Sequence, residues 1–351
     1  MFNFIKKINN IQFPFISSLE VYFDLGTSNT RIAIKDKGFV LKEPTYLGYN
    51  TKIKNYIFFG HEAKNILGKT PEFIKIIRPL VNGIISDFDA EVFLISHFIE
   101  KAVYPYLSQY KFLKPNIHAF ALYPQSATEI EQKAVEEVLL KAGCSSVNLI
   151  EKSVANAAGC GFDIFSHQPV MVIDLGGGII EISITSGGGI VAQKTLKNAG
   201  ESMDKIIANY LYLKNGLILG EASMENLKIR LLNFSNEEKI LTVRGKSLEN
   251  GLPKSIKIKT SDIREALLNN FNQIIDSAKE LLEISPPEIV DEVYNRGIFL
   301  IGGMASINGI DHFFSQELKI KTLIPENYAD ASLKGLVNLA KKPENISRLI
   351  G

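Results

Sequence analysis

The stretch IDLGGGIIEISI, residues 173–184, joins an apolar run to an alternating run through one aspartate and three glycines. The same plan occurs earlier in the chain as FDLGTSNTRIAI, residues 23–34. Aligned without gaps, both stretches place Asp-Leu-Gly at the same point, at 24–26 and 174–176. The period of two after each turn predicts a β-hairpin with an acid at its tip. Two such hairpins predict two related halves.

The two predicted turns suggest a phosphate site if the halves face each other. Backbone N–H groups of glycine-rich turns can cradle phosphates because the missing Cβ lets the chain come close. Asp24 and Asp174 would repel a phosphate unless a cation intervened, so they are expected to bind a hydrated Mg²⁺ through water. One such motif alone is most often an ordinary hairpin turn, but the pair favours a nucleotide cleft.

Composition limits the class of protein. The chain has 351 residues, of which 46% are hydrophobic and 22% charged, so it can bury a large core divided between two domains or more. Its net charge of +1 gives no nucleic-acid surface. Two cysteines form no disulfide framework, and the histidines form no local metal motif. No apolar run reaches the roughly 18 residues of a membrane span.

A third glycine signal is GIFLIGGMASINGI, residues 297–310. It follows a helical pattern over 261–284, whose predicted buried face is formed by Leu267, Phe271, Ile274, Ala278 and Leu281. A buried strand is expected at 298–301, and a glycine turn after it would let an adenosine lie flat against the backbone. Alone this signal is weak, because many α/β proteins have strand-Gly-Gly-helix turns.

The N-terminal stretch MFNFIKKINNIQFPFI, residues 1–16, is apolar and basic. On a helix its apolar positions share or flank one face, which is typical of a short helix lying on a membrane surface. The alternative is a frayed terminus that packs on the domain. The residues on or beside the apolar face are Phe2, Phe4, Ile5, Ile8 and Ile11.

The chain resembles the MreB family of bacterial actins. The resemblance runs from Val21 to Leu339 and is carried by DLGTSNTRIAIKDKGFVLKEPT, GHEAKNILGKTPEFIKIIRPLVNGIISDF, SATEIEQKAV, TSDIREALL and SPPEIVDEVYNRGIFLIGG. It implies an α/β fold of the actin-like (ribonuclease H-like) duplicated type, with two halves around a nucleotide cleft. It also implies ATP and Mg²⁺ as cofactors, and polymerisation into paired protofilaments.

The resemblance divides the chain into a membrane-binding segment, 1–18, and two actin-like halves. The first half comprises 19–160 and 325–351, with a small insertion at about 48–82. The second half comprises 161–324, with a small insertion at about 200–257.

Site residues are carried over from the family motifs. By this resemblance Asp24 and Asp174 would lie near the metal and the attacking water, and Glu131 would position that water. Residues of an apolar loop, Phe112 and Leu113, either contact the membrane or begin a buried strand. The residues expected to hold phosphate, ribose and base are Gly26, Thr27, Ser28, Asn29, Gly176, Gly177, Gly178, Gly200, Glu201, Glu225, Asn226, Leu227, Lys228, Gly302, Gly303, Met304, Ala305 and Ser306.

Glu131 has a second interpretation from its local sequence. Thr128 and Glu131 form the pattern of a capping box, with Glu131 at the third position of a helix. The predicted buried face of that helix comprises Ile130, Ala134 and Val138. The sequence leaves both roles of Glu131 open, as a helix cap and as the residue that positions the water.

Several positions depart from the family pattern near the expected nucleotide. Ile179 and Ile180 stand where the family has two threonines, and Met304 replaces a third glycine. Arg230 and Leu232 replace a glutamate and a glycine, and EKSVANA at 151–157 replaces the acidic EEPMAAA. Each hydroxyl lost beside a phosphate costs about 0.5–1.5 kcal/mol. The departures therefore predict either a slow ATPase or a nucleotide binder that hydrolyses little.

The expected function is a bacterial actin that forms filaments on the inner face of the cell membrane, in the cytoplasm. There it would guide cell shape together with cell-wall elongation proteins. Two alternatives stay open: a non-hydrolysing membrane scaffold or adaptor, like the division protein FtsA, and a small-molecule kinase of the same fold. A kinase is disfavoured because the family-specific segments contain no specificity loop or substrate-binding acid.

Overall fold

The computed structural model describes residues 18–106 and 116–350. Up to residue 159, strands and short helices alternate in the order β1 (Ser18–Leu25), β2 (Asn29–Ile34), β3 (Gly38–Pro44), β4 (Leu47–Asn50), β5 (Asn55–Phe59), α1 (His61–Asn65), β6 (Ile74–Ile77), β7 (Leu80–Val81), β8 (Ile84–Ile85), α2 (Phe88–Ala102), β9 (Asn116–Tyr123), α3 (Glu129–Lys141), β10 (Ser146–Glu151) and α4 (Lys152–Gly159).

The rest of the chain repeats this plan with additional helices. Its elements are β11 (Val170–Leu175), β12 (Ile180–Ser186), β13 (Gly189–Leu196), α5 (Gly200–Asn215), β14 (Leu217–Ile218), α6 (Glu221–Leu231), β15 (Ile240–Ser247), β16 (Pro253–Lys259), α7 (Thr260–Glu283), α8 (Pro287–Arg296), β17 (Ile298–Ile301), α9 (Ile310–Leu318), β18 (Thr322–Leu323), α10 (Ala331–Ala340) and α11 (Pro343–Ile350). Single 3₁₀ turns lie at Tyr104–Tyr106, Gly303–Ser306 and Tyr328–Asp330.

Two five-stranded sheets have the same topology. The first has the strand order β10-β9-β1-β2-β3 and the second β13-β12-β11-β17-β18. In each sheet an antiparallel hairpin, β1–β2 or β11–β12, is extended by parallel strands on the side of its first strand. The predicted duplication and both predicted hairpins are therefore present. The central strands are apolar runs because the sheets are covered on both faces.

Smaller sheets extend from each half. The three-stranded sheet β5-β4-β6 follows β3, and the sheet β14-β15-β16 follows α5. These elements occupy the ranges in which insertions are expected. The boundaries given above for the two halves stay a prediction.

Helices α4 and α10 pack against each other between the two large sheets. A Cβ on Gly335 would lie 1.8 Å from the carbonyl oxygen of Ala155, so the two helices approach more closely than any other residue there would allow. Tyr22 of the first sheet and Val172 of the second join the same buried cluster. This packing places the first residue of α4, Lys152, between the two hairpins.

The long helix α7 agrees with its sequence pattern, whereas α3 agrees only in part. All five residues of the predicted buried face of α7 are buried. In α3 the prediction is right for Val138, which is buried with Val135 and Leu139, and wrong for Ile130, which is 81% exposed. At about 100° per residue, Ile130 points roughly 130° away from the centre of that face.

The predicted membrane residues Phe2, Phe4, Ile5, Ile8, Phe112 and Leu113 lie outside the described residues. Within 18–106 and 116–350, no helix has the length and apolarity needed to span a bilayer.

Candidate functional site

A cavity lies between the two hairpins. The turn after β1, residues 26–28, and the turn after β11, residues 176–178, meet at its floor. A Cβ on Gly178 would lie 2.2 Å from Thr27 Oγ1 and 2.6 Å from Thr27 Cβ. A Cβ on Gly177 would lie 1.9 Å from Ser28 Oγ. Only glycine fits at either position, since the two turns are in van der Waals contact.

Hydrogen bonds fix the first turn. The N–H of Gly83, between β7 and β8, donates to Thr27 Oγ1 over 2.8 Å. The hydroxyl of Thr45 donates to the carbonyl oxygen of Gly26 over 2.6 Å. The β7–β8 turn therefore closes over the glycine-rich turns, a contribution from a distant segment that the sequence did not predict.

Asp24 is paired with a base from its own hairpin. In the β1–β2 register Asp24 lies opposite Arg31, and Arg31 Nη1 lies 3.1 Å from Asp24 Oδ2. Arg31 also donates from Nε to Asp330 Oδ1 over 2.9 Å. The guanidinium thus bridges the cleft carboxylate and the segment before α10.

Asp174 is paired with a base from outside its hairpin. In the β11–β12 register it lies opposite Glu181, so two carboxylates face each other where the first hairpin has an ion pair. Lys152 Nζ lies 2.7 Å from Asp174 Oδ2 and 3.4 Å from Glu181 Oε2. The other oxygen of Glu181 accepts from the N–H of Gln125 over 2.9 Å, which ties this group to the loop before α3.

Burial and the surrounding charges act on these groups in opposite directions. Burial lowers the pKa of Lys152, but the negative charges of Asp174 and Glu181 outweigh it, and the pKa lies above its ordinary value. Burial raises the pKa of Glu181 above its ordinary value, although the nearby charge of Lys152 opposes this shift. Burial together with Glu181 raises the pKa of Glu151 to about 7. Lys152 is therefore charged at neutral pH.

The donor set does not fit the Mg²⁺ site that the sequence predicts. Asp24 and Asp174 were expected to contact the ion through its water shell. Each instead has a basic side chain at hydrogen-bond distance. In the part of the chain that the structure describes, no cluster of three or more His, Cys, Asp or Glu side chains has the arrangement of a metal site.

The far end of the cavity carries the third glycine turn. Lys228 Nζ lies 2.8 Å from Asp204 Oδ1 and donates to the carbonyl oxygen of Gly200 over 2.6 Å. A Cβ on Gly200 would lie 3.4 Å from Met304 Sδ, so the methionine closes this end of the cavity. Gly302 and Gly303 complete the wall.

Ion pairs cross the mouth of the cavity between the two smaller sheets. Lys64 Nζ lies 2.8 Å from a carboxylate oxygen of Glu225. Arg78 Nη1 lies 3.4 Å from Glu201 Oε2, and Arg78 also contacts Glu221. These contacts join the two insertions over the opening.

Most of the expected site residues line the cavity: Asp24, Gly26, Thr27, Ser28, Asn29, Asp174, Gly176, Gly177, Gly178, Gly200, Glu201, Glu225, Lys228, Gly302, Gly303 and Met304. Five do not. Leu227 and Ala305 are buried in the core of the second half. Asn226, in α6, and Ser306, at the end of its 3₁₀ turn, are exposed, and Glu131 lies on α3.

Comparisons with known proteins agree with this geometry. The family model described as MreB/Mbl protein matches residues 18–348. The chain belongs to the MreB/Mbl family. It is 35% identical over 332 residues to the cell shape-determining protein Mbl of Bacillus subtilis (strain 168), covering 93% of this chain and 98% of that protein. It is 32% identical over 316 residues to the cell shape-determining protein MreB of Escherichia coli (strain K12), covering 88% and 90%.

Solved structures confirm the actin-like fold. MreB5 of Spiroplasma citri bound to AMPPNP superposes with a TM-score of 0.86 at 30% identity, covering 93% of this chain and 97% of that one. A structure of the same protein bound to ADP has a TM-score of 0.86 at 31% identity. The MamK double helical filament, at 18% identity and a TM-score of 0.77, shares the fold.

The two isoleucines that depart from the MreB pattern, Ile179 just before β12 and Ile180 at its start, face opposite sides of the chain. Ile179 lines the cavity and is 6% exposed, whereas Ile180 is fully buried in the core of the second half. A Cβ on Gly83 would lie 3.0 Å from Ile179 Cδ1, so this side chain packs against the turn that closes over the floor. The apolar side chain of Ile179 thus lines the cavity at a position where the family pattern has a hydroxyl.

Glu131 is engaged as a cap. One oxygen of its carboxylate accepts from the N–H of Thr128 over 2.7 Å and from Thr128 Oγ1 over 2.9 Å. Its own N–H donates to Thr128 Oγ1 over 3.3 Å, which completes the capping box. Both interpretations of Glu131 predict this position, but the observed contacts belong to the cap.

Of the cations in the cleft, Lys228 was expected from the sequence and the others were not. Arg31 had a local signal, because the pairing of the two strands of the first hairpin places it opposite Asp24. Lys152 stood out as the basic residue in an otherwise acidic family motif. Lys64 and Arg78 had no local signal, since their partners lie in the other half of the chain.

Proposed function

We propose that this chain is a filament-forming bacterial actin that binds ATP in the cleft and hydrolyses it slowly. The observation that supports this most is the direct contact of the two glycine-rich turns across the cavity floor. Both turns line one cavity, and the backbone N–H groups of two such turns can together bind a chain of phosphates. The bound MreB5 structures carry AMPPNP and ADP, which favours an adenine nucleotide here.

The phosphates are expected beside Thr27, Ser28 and the glycines at 176–178. Arg31 and Lys152 lie at the same end of the cavity and offset the negative charge. The sugar and base are expected at the far end, between Lys228 and the turn at 302–304. The nucleotide would thus contact both halves and hold the cleft in one closed geometry.

Slow hydrolysis is supported by two contacts at the phosphate end. Ile179 presents carbon where a hydroxyl would bind a phosphate or a water. The Glu131 carboxylate is engaged with Thr128 and must leave its cap before it can orient a water. The second candidate function, a non-hydrolysing actin-like scaffold or adaptor, is favoured by these same two contacts. A small-molecule kinase is the less supported alternative.

Filament formation and membrane attachment extend the proposal. The relatives are cell shape-determining proteins, and a chain of the same fold forms a double helical filament. Paired protofilaments on the inner face of the cell membrane, with cell-wall elongation proteins as partners, agree with that role. The attachment sites proposed from sequence are the apolar-basic segment, 1–18, and the loop containing Phe112 and Leu113.

Sedimentation tests this proposal. The full chain is spun with ATP, with AMPPNP and without nucleotide, each with and without liposomes of anionic lipid. We expect nucleotide-dependent pelleting, and additional recovery with the liposomes. A chain lacking residues 1–11 should still pellet with ATP but lose liposome recovery. ATP binding without pelleting under any condition would favour a kinase, and unchanged liposome recovery after truncation would refute the anchor.

A further inference from the structure

Lys152 occupies an unfavourable place for a cation unless acids hold it there. It is the first residue of α4, where the positive end of the helix dipole repels an ammonium group. Its side chain is only 17% exposed, and burial of an unpaired charge is strongly unfavourable. Two contacts compensate: Asp174 Oδ2 at 2.7 Å and Glu181 Oε2 at 3.4 Å.

The second hairpin differs from the first at the equivalent position. Arg31 lies opposite Asp24, and Glu181 lies opposite Asp174. The first hairpin therefore contains its own cation, whereas the second contains two facing carboxylates. Lys152 supplies the missing positive charge from a different element, at the position where the resembling family motif has an acid.

Asp24 and Asp174 each have a basic side chain of the protein as a counter-charge. Two carboxylates without a counter-charge would repel a polyphosphate, and an added cation would be needed to hold both near it. Here Arg31 lies 3.1 Å from Asp24 and Lys152 lies 2.7 Å from Asp174. Both side chains line the cavity in which the phosphates are expected.

We propose that Lys152, with Arg31, replaces much of the charge-neutralising role of a divalent cation in this cleft. Nucleotide binding then depends little on divalent cations. This inference rests on the proposed function, since it concerns how the same cleft holds a nucleotide. Lys152 acts as a fixed positive charge at the end of the cavity where the phosphates are expected, and it holds Asp174 and Glu181 in place.

The test is the affinity for ATP and ADP by titration calorimetry, in Mg²⁺ and in EDTA. For the wild-type chain we expect nearly the same Kd in both buffers. The Lys152→Gln variant should bind in Mg²⁺ but lose about tenfold or more of its affinity in EDTA, as expected for loss of a charge-assisted contact. Lys152→Arg should behave like the wild-type chain.

Lys194→Gln is the matched control. Lys194, on the edge strand β13, pairs with Glu280 of α7 and does not line the cavity. Its replacement should therefore leave both Kd values unchanged. Melting temperatures show which variants fold. If Lys152→Gln does not fold, the comparison of wild-type Kd values in Mg²⁺ and in EDTA still decides the matter. Wild-type affinity that collapses in EDTA overturns this inference and leaves the proposed function intact. An absence of binding in both buffers would instead refute the proposed function.

Discussion

Replacing Gly178 by alanine tests whether the two turns form one site. The added Cβ would lie 2.6 Å from Thr27 Cβ and 2.8 Å from Thr27 Cγ2. Non-bonded carbon atoms prefer a separation of about 3.5 Å or more, so the two turns must move apart by roughly 1 Å. No rotation of the threonine removes the contact with its Cβ. The variant should open the floor of the cleft.

The expected effects follow from that displacement. Overpacking a close contact costs about 1–3 kcal/mol of unfolding free energy. A shift of about 1 Å at a site that depends on orientation reduces function by up to roughly a hundredfold. We therefore expect ATP affinity to fall by at least tenfold, measured by calorimetry, with a lower melting temperature.

Two glycine variants serve as comparisons. Gly189→Ala should change neither quantity, because its Cβ meets nothing within 4 Å on an exposed strand end. Gly177→Ala should be milder than Gly178→Ala, because its 1.9 Å contact with Ser28 Oγ can be relieved by rotation and the contact that remains, with Ser28 Cβ, is 2.9 Å. Wild-type ATP affinity and melting temperature in Gly178→Ala would show that the turns do not act together, and would refute the reasoning.

Other variants probe separate parts of the cleft and core. Ile179→Thr should speed phosphate release up to about tenfold, since one hydrogen bond of roughly 1.4 kcal/mol is restored, whereas Ile180→Thr should mainly lower the melting temperature. Lys64→Ala should speed release of a fluorescent nucleotide in stopped flow by up to about fivefold. The variant loses the ion pair with Glu225 over the opening, and a partly exposed pair contributes about 1 kcal/mol at most. Burial raises the pKa of Glu91 to about 8, so the folded state binds more protons than the unfolded chain between pH 4.5 and 8. Unfolding free energy should therefore fall as pH rises through that window, and Glu91→Gln should remove this loss in pH-dependent melting.

Each of these has an outcome that contradicts it. Phosphate release unchanged in Ile179→Thr would show that the missing hydroxyl does not limit turnover. Lys35→Ala, which removes a pair with Glu20 outside the cavity, should leave nucleotide release unchanged; equal acceleration in both lysine variants would exclude a specific effect of the cleft pair. Glu100, exposed on the same helix as Glu91, provides the control, and a melting profile in Glu91→Gln that keeps the wild-type slope would refute the burial argument.

Local sequence predicted the hairpins because their determinants are local. Alternation after 26–28 and 176–178 sets the strands, and the small residues between them set the turns. The same alternation explains why Ile179 lines the cavity and Ile180 lies in the core, since neighbouring residues of an extended chain face opposite sides. The repeat predicted two related halves, and each half contains one of the two large sheets.

Contacts distant in sequence could not be predicted in this way. Lys152 reaches Asp174 only because α4 packs on α10 between the sheets, and no local pattern encodes that packing. The Lys64–Glu225 pair depends on how the insertions close over the cavity. In α3 the apolar position of Ile130 suggested a buried face, but the sheet contacts a different side of the helix.

We expect ATP binding in this cleft to drive assembly, with hydrolysis following slowly. Light scattering and phosphate release can be recorded together after ATP is added to the full chain. Scattering should reach its plateau while only a small part of the ATP has been hydrolysed, and AMPPNP should support assembly equally well. Assembly that needs phosphate release first, or that proceeds without nucleotide, would contradict this expectation.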